Sequence, residues 1–180
     1  MSKSKVSIGL TNPKSPENVA AVMRTAGNFQ VDSVYYTGKR YPRALKLKTC
    51  TVDMSRKVSQ DIPLSEVTNL IDVAPDDLKI VCIELAENAI ALPEFQHPIN
   101  ALYIFGPEDG TISQQVIDQA DAVVYVPTIG CMNLSATVNV VLYDRLAKSS
   151  WDFTNDVENN KLIRKSRDTN NSLKVILKKE

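Results

Sequence analysis

Short apolar runs alternate along the chain with longer stretches in which apolar residues recur at every third or fourth position. The runs predict buried strands, and the three- and four-residue spacing predicts helices with one apolar face. Five strands are predicted, over residues 5–10, 31–37, 78–85, 101–105 and 122–126. Because the predicted strands and helices alternate along the chain, their order favours an α/β fold with a mostly parallel sheet and helices on both faces.

Two helices have the clearest pattern. The first is predicted to begin with Ser15 as its cap and Pro16 at its first helical position. The second follows the last predicted strand and extends to about Lys148. Asn133 and Ser135 at its start are residue types that cap helices more often than they bind ligands.

The remaining segments carry weaker patterns. Short helices are expected over residues 64–73 and 112–120, with Ser113 or Thr111 placed to cap the second of them. Residues 38–60 have no clear period, which predicts a surface loop with short pieces of structure.

The net charge of the chain is zero, but the charges are unevenly distributed. Residues 36–60 carry seven basic side chains against one acid, and residues 161–180 carry seven against two. Two basic segments can attract a polyanion even when the whole protein is neutral. The alternative is that both segments are ordinary solvated surfaces.

The length suits one domain, which we expect over residues 1–154, followed by a basic extension over 155–180. No apolar run reaches membrane-spanning length, and the apolar stretch near the amino terminus is too short for a signal peptide. Three widely spaced cysteines, at positions 50, 82 and 131, form neither a zinc pattern nor a disulfide framework. We therefore expect a cytoplasmic protein that uses no metal.

The chain offers few of the common catalytic patterns. Neither of the usual glycine-rich nucleotide-binding motifs occurs. The single histidine, His97, lies in a proline-bounded loop, which favours a surface role over catalysis. Cys131 and His97 could be imagined as a thiol nucleophile and its base, but nothing in their spacing supports this. Lone cysteines are usually buried packing residues.

Three polar segments stand at predicted junctions between strands and helices. The first is Asn12-Pro13 followed by ENVAAVMRTAGNFQV, the second is IFGPEDGTIS, and the third is VPTIGCMNLSATVNVVLYD. In this order they resemble the motifs of the SpoU (TrmH-like) family of RNA 2′-O-ribose methyltransferases, which belongs to the knotted SPOUT superfamily. The resemblance covers residues 5–148.

The motifs also depart from the family pattern. Glu17 and Gln30 stand where the first motif has glycine, and Gly110 or Thr111 must serve for the glycine that follows the glutamate of the second. Cys131 occupies the position of the third motif's first serine. A thiol is a weaker hydrogen-bonding group than a hydroxyl, so any contribution of that side chain is reduced here.

The resemblance implies S-adenosylmethionine-dependent methylation of a ribose 2′-hydroxyl in structured RNA, with tRNA favoured over rRNA. It also implies a trefoil knot in the carboxyl-terminal third and a homodimer, for which the apolar helix from Met132 to Leu146 is the candidate surface. The cofactor would be held largely by main-chain groups of three loops. The residues expected to bind it are Glu84, Leu85, Phe105, Gly106, Glu108, Val126, Cys131, Met132 and Leu134.

Arg24 matches the family's catalytic arginine. Because arginine is a reluctant base, we expect it to orient a phosphate and to stabilise the developing alkoxide. Asn18, Glu108 and Asn133 match the other polar positions of the site. Glu108 could pair with Arg24 or orient Asn18, and the sequence does not choose between these pairings.

The residues expected to contact RNA are mostly in the first basic segment: Arg24, Lys39, Arg40, Arg43 and Lys46. Two alternatives stay open. One is a non-catalytic RNA-binding relative of the family, which Cys131 and the altered glycines motivate. The other is a small-molecule α/β enzyme of unrelated chemistry, for which we expect no RNA affinity.

Overall fold

The computed structural model describes residues 4–47, 61–75, 77–150 and 160–175. By internal contacts the chain divides into two compact units, Met1–Lys148 and Ser149–Glu180. The first unit contains every strand in the described ranges and four of the helices. The helices are α1 (Pro16–Asn28), α2 (Arg40–Leu47), α3 (Gln114–Ile117) and α4 (Leu134–Ala147), with α5 (Lys161–Ser166) in the second unit.

Seven strands form one sheet, and all strand pairs among the described residues are parallel. The strands are β1 (Val6–Leu10), β2 (Ser33–Tyr36), β3 (Leu64–Glu66), β4 (Lys79–Ile83), β5 (Ile90–Ala91), β6 (Ala101–Phe105) and β7 (Ala122–Tyr125). Their order across the sheet is β3-β2-β1-β6-β4-β7-β5. The predicted parallel α/β fold is confirmed, and each of the five predicted strands is present within two residues of its expected ends. The knot that the resemblance implies stays a prediction.

The two faces of the sheet carry separate hydrophobic clusters. The larger cluster joins one face to α1 and α4, through buried residues such as Val22 and Val138. The smaller cluster lies on the opposite face, where Leu70, Ile112 and the half-buried Val116 of α3 cover the strands. Successive residues of β6 alternate between them, since Tyr103 belongs to the first cluster and Leu102 to the second. Helical segments therefore cover both faces, as predicted.

Helix α1 has a defined cap at each end. The predicted cap is confirmed, because the Ser15 side chain accepts a hydrogen bond from the Asn18 N–H and Pro16 is the first helical residue. At the other end Gln30 N–H donates to the Gly27 carbonyl and Val31 N–H to the Ala26 carbonyl, which is a Schellman motif. The backbone of Gln30 is in the left-handed conformation there, with φ of 54°. This explains why glycine stands at the equivalent position of the family motif.

One segment differs from its predicted structure. The helix expected over 64–73 is wrong: Leu64–Glu66 pairs with β2 as an edge strand, and only a short 3₁₀ turn follows at Ile71–Val73. The surface loop with short pieces of structure that is expected over 38–60 contains one such piece, helix α2, and residues 48–60 lie outside the described ranges. Tyr41 explains this helix, because its ring is buried and meets the Tyr36 ring edge-on at 5.1 Å.

His97 is also placed differently from its prediction. We expected a surface residue, but only 4% of its side chain is exposed. Its Nδ1 lies 2.6 Å from the Tyr103 hydroxyl and its Nε2 lies 2.8 Å from Asp144 Oδ2. Burial lowers the pKa of the imidazole, and the nearby Arg145 and Lys148 lower it too, against the opposing effect of Asp144.

The second unit is short within the described ranges. Helix α5 carries Lys161, Arg164 and Lys165, and its residues are exposed. Leu173 and Val175 in this unit are 85% and 89% exposed. In the part of the chain that the structure describes, no helix is both long and apolar enough to cross a membrane.

Candidate functional site

A pocket lies where the loops after three neighbouring strands meet. Strands β4, β6 and β7 are parallel, so their carboxyl ends reach the same edge of the sheet, where ligands bind in open α/β folds. The pocket has a volume of about 150 Å³. All nine residues expected to bind the cofactor line it: Glu84, Leu85, Phe105, Gly106, Glu108, Val126, Cys131, Met132 and Leu134. Their role in binding stays a prediction.

Three polar side chains join the loops into a hydrogen-bonded chain. Asn18 Nδ2 on α1 donates to Glu108 Oε1 at 2.9 Å, and Asn133 Nδ2 donates to Asn18 Oδ1 at 3.1 Å. Asn133 is also the cap of α4, since its Oδ1 accepts from Ser135 N–H at 2.9 Å. The Asn133 amide thus both caps α4 and contacts Asn18. We call Glu108, Asn18 and Asn133 the open network, because Asn133 at its end is exposed.

Glu108 is held as a carboxylate. Its Oε2 accepts from the Lys14 N–H at 2.9 Å and its Oε1 from the Ser15 N–H at 3.0 Å. Burial alone would raise its pKa, but the hydrogen bonds from Asn18, Lys14 and Ser15 together hold the pKa below the ordinary value. Glu108 is therefore an acceptor at neutral pH. Of the two pairings considered for it, the structure has the one with Asn18.

Glu84 connects the loop after β4 to the segment at Ile112, through hydrogen bonds from backbone N–H groups. Its Oε2 accepts from the Ile112 N–H at 2.8 Å, and its Oε1 accepts from the Leu85 N–H at 3.0 Å. A Cβ added to Gly106 would lie 3.0 Å from Glu84 Oε2, closer than ordinary contact allows. A side chain at position 106 would therefore need the Glu84 carboxylate to move by a few tenths of an ångström.

Arg24 lies apart from the open network. It is six residues beyond Asn18 on α1, which places it about 9 Å further along the helix axis. Its side chain is exposed, does not line the pocket, and has no hydrogen bond or ion pair to any described residue. Its five donors are therefore available to a ligand from solvent.

The two cysteines in the described ranges differ sharply. Cys82 is buried in β4, and burial raises the pKa of its thiol to about 12, with a further contribution from Glu84. Cys131 is exposed at the pocket, so the expectation of a buried packing residue is wrong for it. His97 is buried and both of its ring nitrogens have other partners, so it cannot serve Cys131 as a base.

The basic residues expected to contact RNA are in part already paired. Lys39, Arg43 and Lys46 are exposed at or on α2. Arg40 instead pairs with Asp109, with 2.7 Å between Nη1 and Oδ1. Asp109 follows Glu108 in the loop after β6, and the sequence had not marked it as a site residue. Its position beside a motif glutamate is the only signal that could have found it.

The chemistry of this arrangement follows from its donors and acceptors. The pocket combines apolar side chains with carboxylate and hydroxyl groups at fixed positions, which suits a small ligand that has both apolar and polar parts. Nowhere in the described ranges do three His, Cys, Asp or Glu side chains come close enough to hold a metal ion. Thr128 and Thr137 also line the pocket and were not predicted.

Comparison with known sequences identifies relatives of the whole first unit. The model of the SpoU rRNA Methylase family matches residues 5–143. A putative TrmH family tRNA/rRNA methyltransferase of Staphylococcus epidermidis is 26% identical over 137 residues, which are 73% of this chain and 54% of the relative. A relative with the same description from Staphylococcus aureus is 25% identical over 141 residues. The chain spans about half the length of the curated relatives it matches.

Comparison with solved structures gives the same fold. The TrmH/SpoU tRNA modifying enzyme of A. aeolicus has a TM-score of 0.66 at 18% identity, covering 92% of this chain and 82% of that one. The SpoU methyltransferase AviRb from Streptomyces viridochromogenes, solved in complex with its cofactor AdoMet, has a TM-score of 0.65 at 16% identity. That match covers 82% of this chain and 59% of AviRb.

Proposed function

Because the chain belongs to the SpoU rRNA methylase family, we propose that it methylates a ribose 2′-hydroxyl in structured RNA, with S-adenosylmethionine as the methyl donor. We favour tRNA over rRNA as the substrate and the cytoplasm as its location. The single observation that carries the proposal is the pocket at the carboxyl ends of β4, β6 and β7, with the open network beside it.

The pocket fits the cofactor in two respects. Gly106 leaves open a space beside Glu84 that any side chain would fill, so a ligand can approach the backbone closely there. Leu85, Val126, Met132 and Leu134 present apolar surface, while Glu84 and Glu108 supply polar acceptors. When bound, S-adenosylmethionine supplies a methyl group activated by its sulfonium. The protein then has to position the ribose hydroxyl and assist the loss of its proton.

The open network is suited to positioning. Glu108 is fixed by two backbone N–H groups and orients the Asn18 amide, which in turn contacts Asn133. We propose that these three side chains set the geometry of the pocket mouth and that Asn18 or Asn133 contacts the reacting nucleotide. Such preorganised polar groups lower a barrier because they need not reorient during the reaction.

We assign Arg24 to the RNA itself. Its guanidinium is exposed and without a partner in the described ranges, so binding a phosphate there breaks no existing contact. A charge-assisted pair with phosphate would orient the substrate, and the same charge would stabilise an alkoxide that forms at the 2′-oxygen. Lys39, Arg43 and Lys46 on the α2 side, together with the basic residues of α5, are the further candidates for phosphate contacts.

We also propose that two copies of the chain associate through α4. Val138, Val141 and Leu142 on this helix are buried within the chain, while Tyr143 stays 65% exposed. Ile99 is 73% exposed, and it lies near the same end of the helix because Arg145 donates to its carbonyl. Light scattering coupled to size exclusion checks this surface: Tyr143→Glu should shift a dimer towards monomer, and an unchanged dimer would place the interface elsewhere.

Two measurements test the function. Calorimetry with S-adenosylmethionine, without added metal, should show one site per chain. Gly106→Val should weaken binding at least about tenfold, because its side chain displaces Glu84 and enters the pocket. Unchanged affinity in Gly106→Val would remove that loop from the site.

The second measurement uses tritiated S-adenosylmethionine and total RNA from a strain that lacks the gene. We expect label in 2′-O-methylated nucleosides after complete digestion of the RNA. Cofactor binding without label in any RNA would favour the non-catalytic relative. Absence of both cofactor and RNA binding would favour a small-molecule enzyme.

A further inference from the structure

The loop after β6 is held from two sides by neighbouring carboxylates. Glu108 accepts hydrogen bonds from the start of α1 and belongs to the open network. Asp109 is the one residue of Gly106–Gly110 that does not line the pocket. Its carboxylate contacts the first residue of α2 instead, since Arg40 Nη1 lies 2.7 Å from Oδ1 and Nη2 donates to Oδ2 at 2.8 Å. The Lys14 ammonium adds a contact to Oδ2 at 3.3 Å.

The Arg40–Asp109 pair connects two regions with different proposed roles. Residues 39–47 carry four basic side chains and no acid, so this segment is the most cationic described part of the first unit's surface. The loop that bears Asp109 lines the pocket through Gly106, Glu108 and Gly110. The pair therefore joins a cationic helix to a wall of the pocket, through side chains 69 residues apart in the sequence.

The pairing leaves Arg40 able to bind a second anion. A guanidinium has five N–H donors, and a carboxylate bound to both terminal nitrogens occupies two of them. The Arg40 side chain is 31% exposed, so an anion can reach the remaining donors from solvent. A guanidinium that is already fixed also loses less conformational entropy when it binds a phosphate than a free one does.

We propose that Asp109 is a positioning residue that holds the Arg40 guanidinium in the orientation in which it receives an RNA phosphate, and so couples RNA docking on α2 to the pocket loop. This inference rests on the proposed RNA methyltransferase function. The hydrogen bond from Arg40 holds the pKa of Asp109 below its ordinary value, so the carboxylate is charged at neutral pH.

A simpler role for Asp109 predicts the opposite result. An acid beside a surface that binds RNA repels the phosphates, so neutralising it should strengthen RNA binding at low salt. If Asp109 positions Arg40, neutralising it should weaken RNA binding even though a repulsive charge is removed. The sign of the change in affinity therefore distinguishes positioning from repulsion.

The experiment measures binding of fluorescein-labelled total tRNA by anisotropy, in the full-length protein at fixed salt. Asp109→Asn should weaken binding about threefold to tenfold. Arg40→Lys should weaken it similarly, because lysine keeps the positive charge but lacks the two terminal nitrogens that bind a carboxylate together. The double variant should bind tRNA no more weakly than either single variant, since both substitutions remove the same contact. In methyl transfer the KM for tRNA should rise while kcat changes less than about twofold.

Asp118→Asn is the matched control. It changes the net charge by the same amount at an exposed carboxylate whose partner is the neutral Gln114. Its tRNA affinity should stay within about twofold of the unmodified protein. The thermal midpoint of every variant is measured first, so that unfolding is not mistaken for lost affinity.

Three outcomes would overturn the inference. Tighter or unchanged tRNA binding by folded Asp109→Asn would identify the acid as repulsive or inert. Fully additive losses in the double variant would show that the two residues act independently. An unmodified protein that binds no tRNA would overturn the preference for tRNA as the substrate, and this inference with it, and is recognised because the wild-type chain itself fails.

Discussion

Helix α4 has a polar network at each end, and each network contains one carboxylate. At its amino end Asn133 joins Asn18 and Glu108 in the open network. At its carboxyl end Asp144 and Arg145 bind His97 and Tyr103, and we call these four residues the closed network. Tyr103 is completely buried, and only 4% of the His97 side chain is exposed.

The networks differ in how much hydrogen-bonding capacity they leave unused. In the closed network both His97 nitrogens are bonded, and Arg145 donates to the carbonyls of Pro98 and Ile99 as well as to Tyr103. The open network ends at the exposed Asn133, beside the exposed Cys131. Satisfied buried groups hold a fold together, whereas groups with spare capacity can bind a ligand. Because both networks contain a carboxylate, the presence of a carboxylate alone does not separate these roles.

The largest effect should come from Arg24, which belongs to neither network. We expect Arg24→Ala to lower the rate of methyl transfer about a thousandfold, or ~4 kcal/mol in barrier, because the substrate loses a charged contact at the reacting group. Cofactor affinity and the thermal midpoint should be nearly unchanged, since Arg24 does not line the pocket and has no hydrogen bond or ion pair to a described residue. A loss of cofactor affinity as large as the loss of rate would contradict this assignment.

Breaking the closed network should affect stability instead. Asp144→Ala leaves buried His97 without its Nε2 partner and removes one partner of Lys148. We expect the free energy of unfolding to fall by about 2–3 kcal/mol, with a midpoint roughly 5–10 °C lower. The rate of methyl transfer by folded protein should stay within about twofold of the wild type. Asp118→Ala, at an exposed carboxylate, is the control and should change the midpoint little.

The closed network also predicts a pH dependence. Burial is the main cause that lowers the pKa of His97 below 6.5, so the unfolded chain binds a proton more readily than the folded one. The stability that neutral His97 contributes is complete above about pH 6.5 and is lost as the pH falls from there towards the folded pKa. Thermal midpoints measured between about pH 5 and 8 should therefore fall towards acid, and less steeply in His97→Gln. Equal slopes for both proteins would remove His97 as the cause.

The smallest effect is expected at Cys131, which lines the pocket and belongs to neither network. If this position acts through its main chain, Cys131→Ser should change the rate less than about tenfold, or ~1.4 kcal/mol. A nearly inactive Cys131→Ser would indicate a covalent nucleophile. Alkylation does not decide the question, because an exposed thiol reacts with alkylating reagents in either case.

The sequence predicts one of these networks much better than the other. The five central strands and the two long helices follow from local periodicity, and Ser15 from the chemistry of helix caps. The residues of the open network came from the resemblance of three motifs to a known family. Their pairing did not, since Glu108 could equally have been assigned to Arg24.

The closed network could not be predicted, because its contacts join residues far apart in the chain. His97 and Asp144 are 47 residues apart, and although Asp144 is the last residue of the third motif, nothing in that motif points to His97. Arg40 and Asp109 are 69 residues apart. The helix prediction over β3 is wrong for a related reason: the pairing of this segment with β2 decides its structure, and that pairing is a tertiary contact.

The most direct test compares the two ends of α4 in one assay. Transfer of tritiated methyl to ribose 2′-oxygens of total RNA is measured for the wild type, Glu108→Ala and Asp144→Ala, at a temperature where all three are folded. We predict that Glu108→Ala loses at least about a hundredfold in rate and that Asp144→Ala keeps nearly all of it. Full activity in Glu108→Ala, or loss of activity in folded Asp144→Ala, would contradict the assignment of function to the open network.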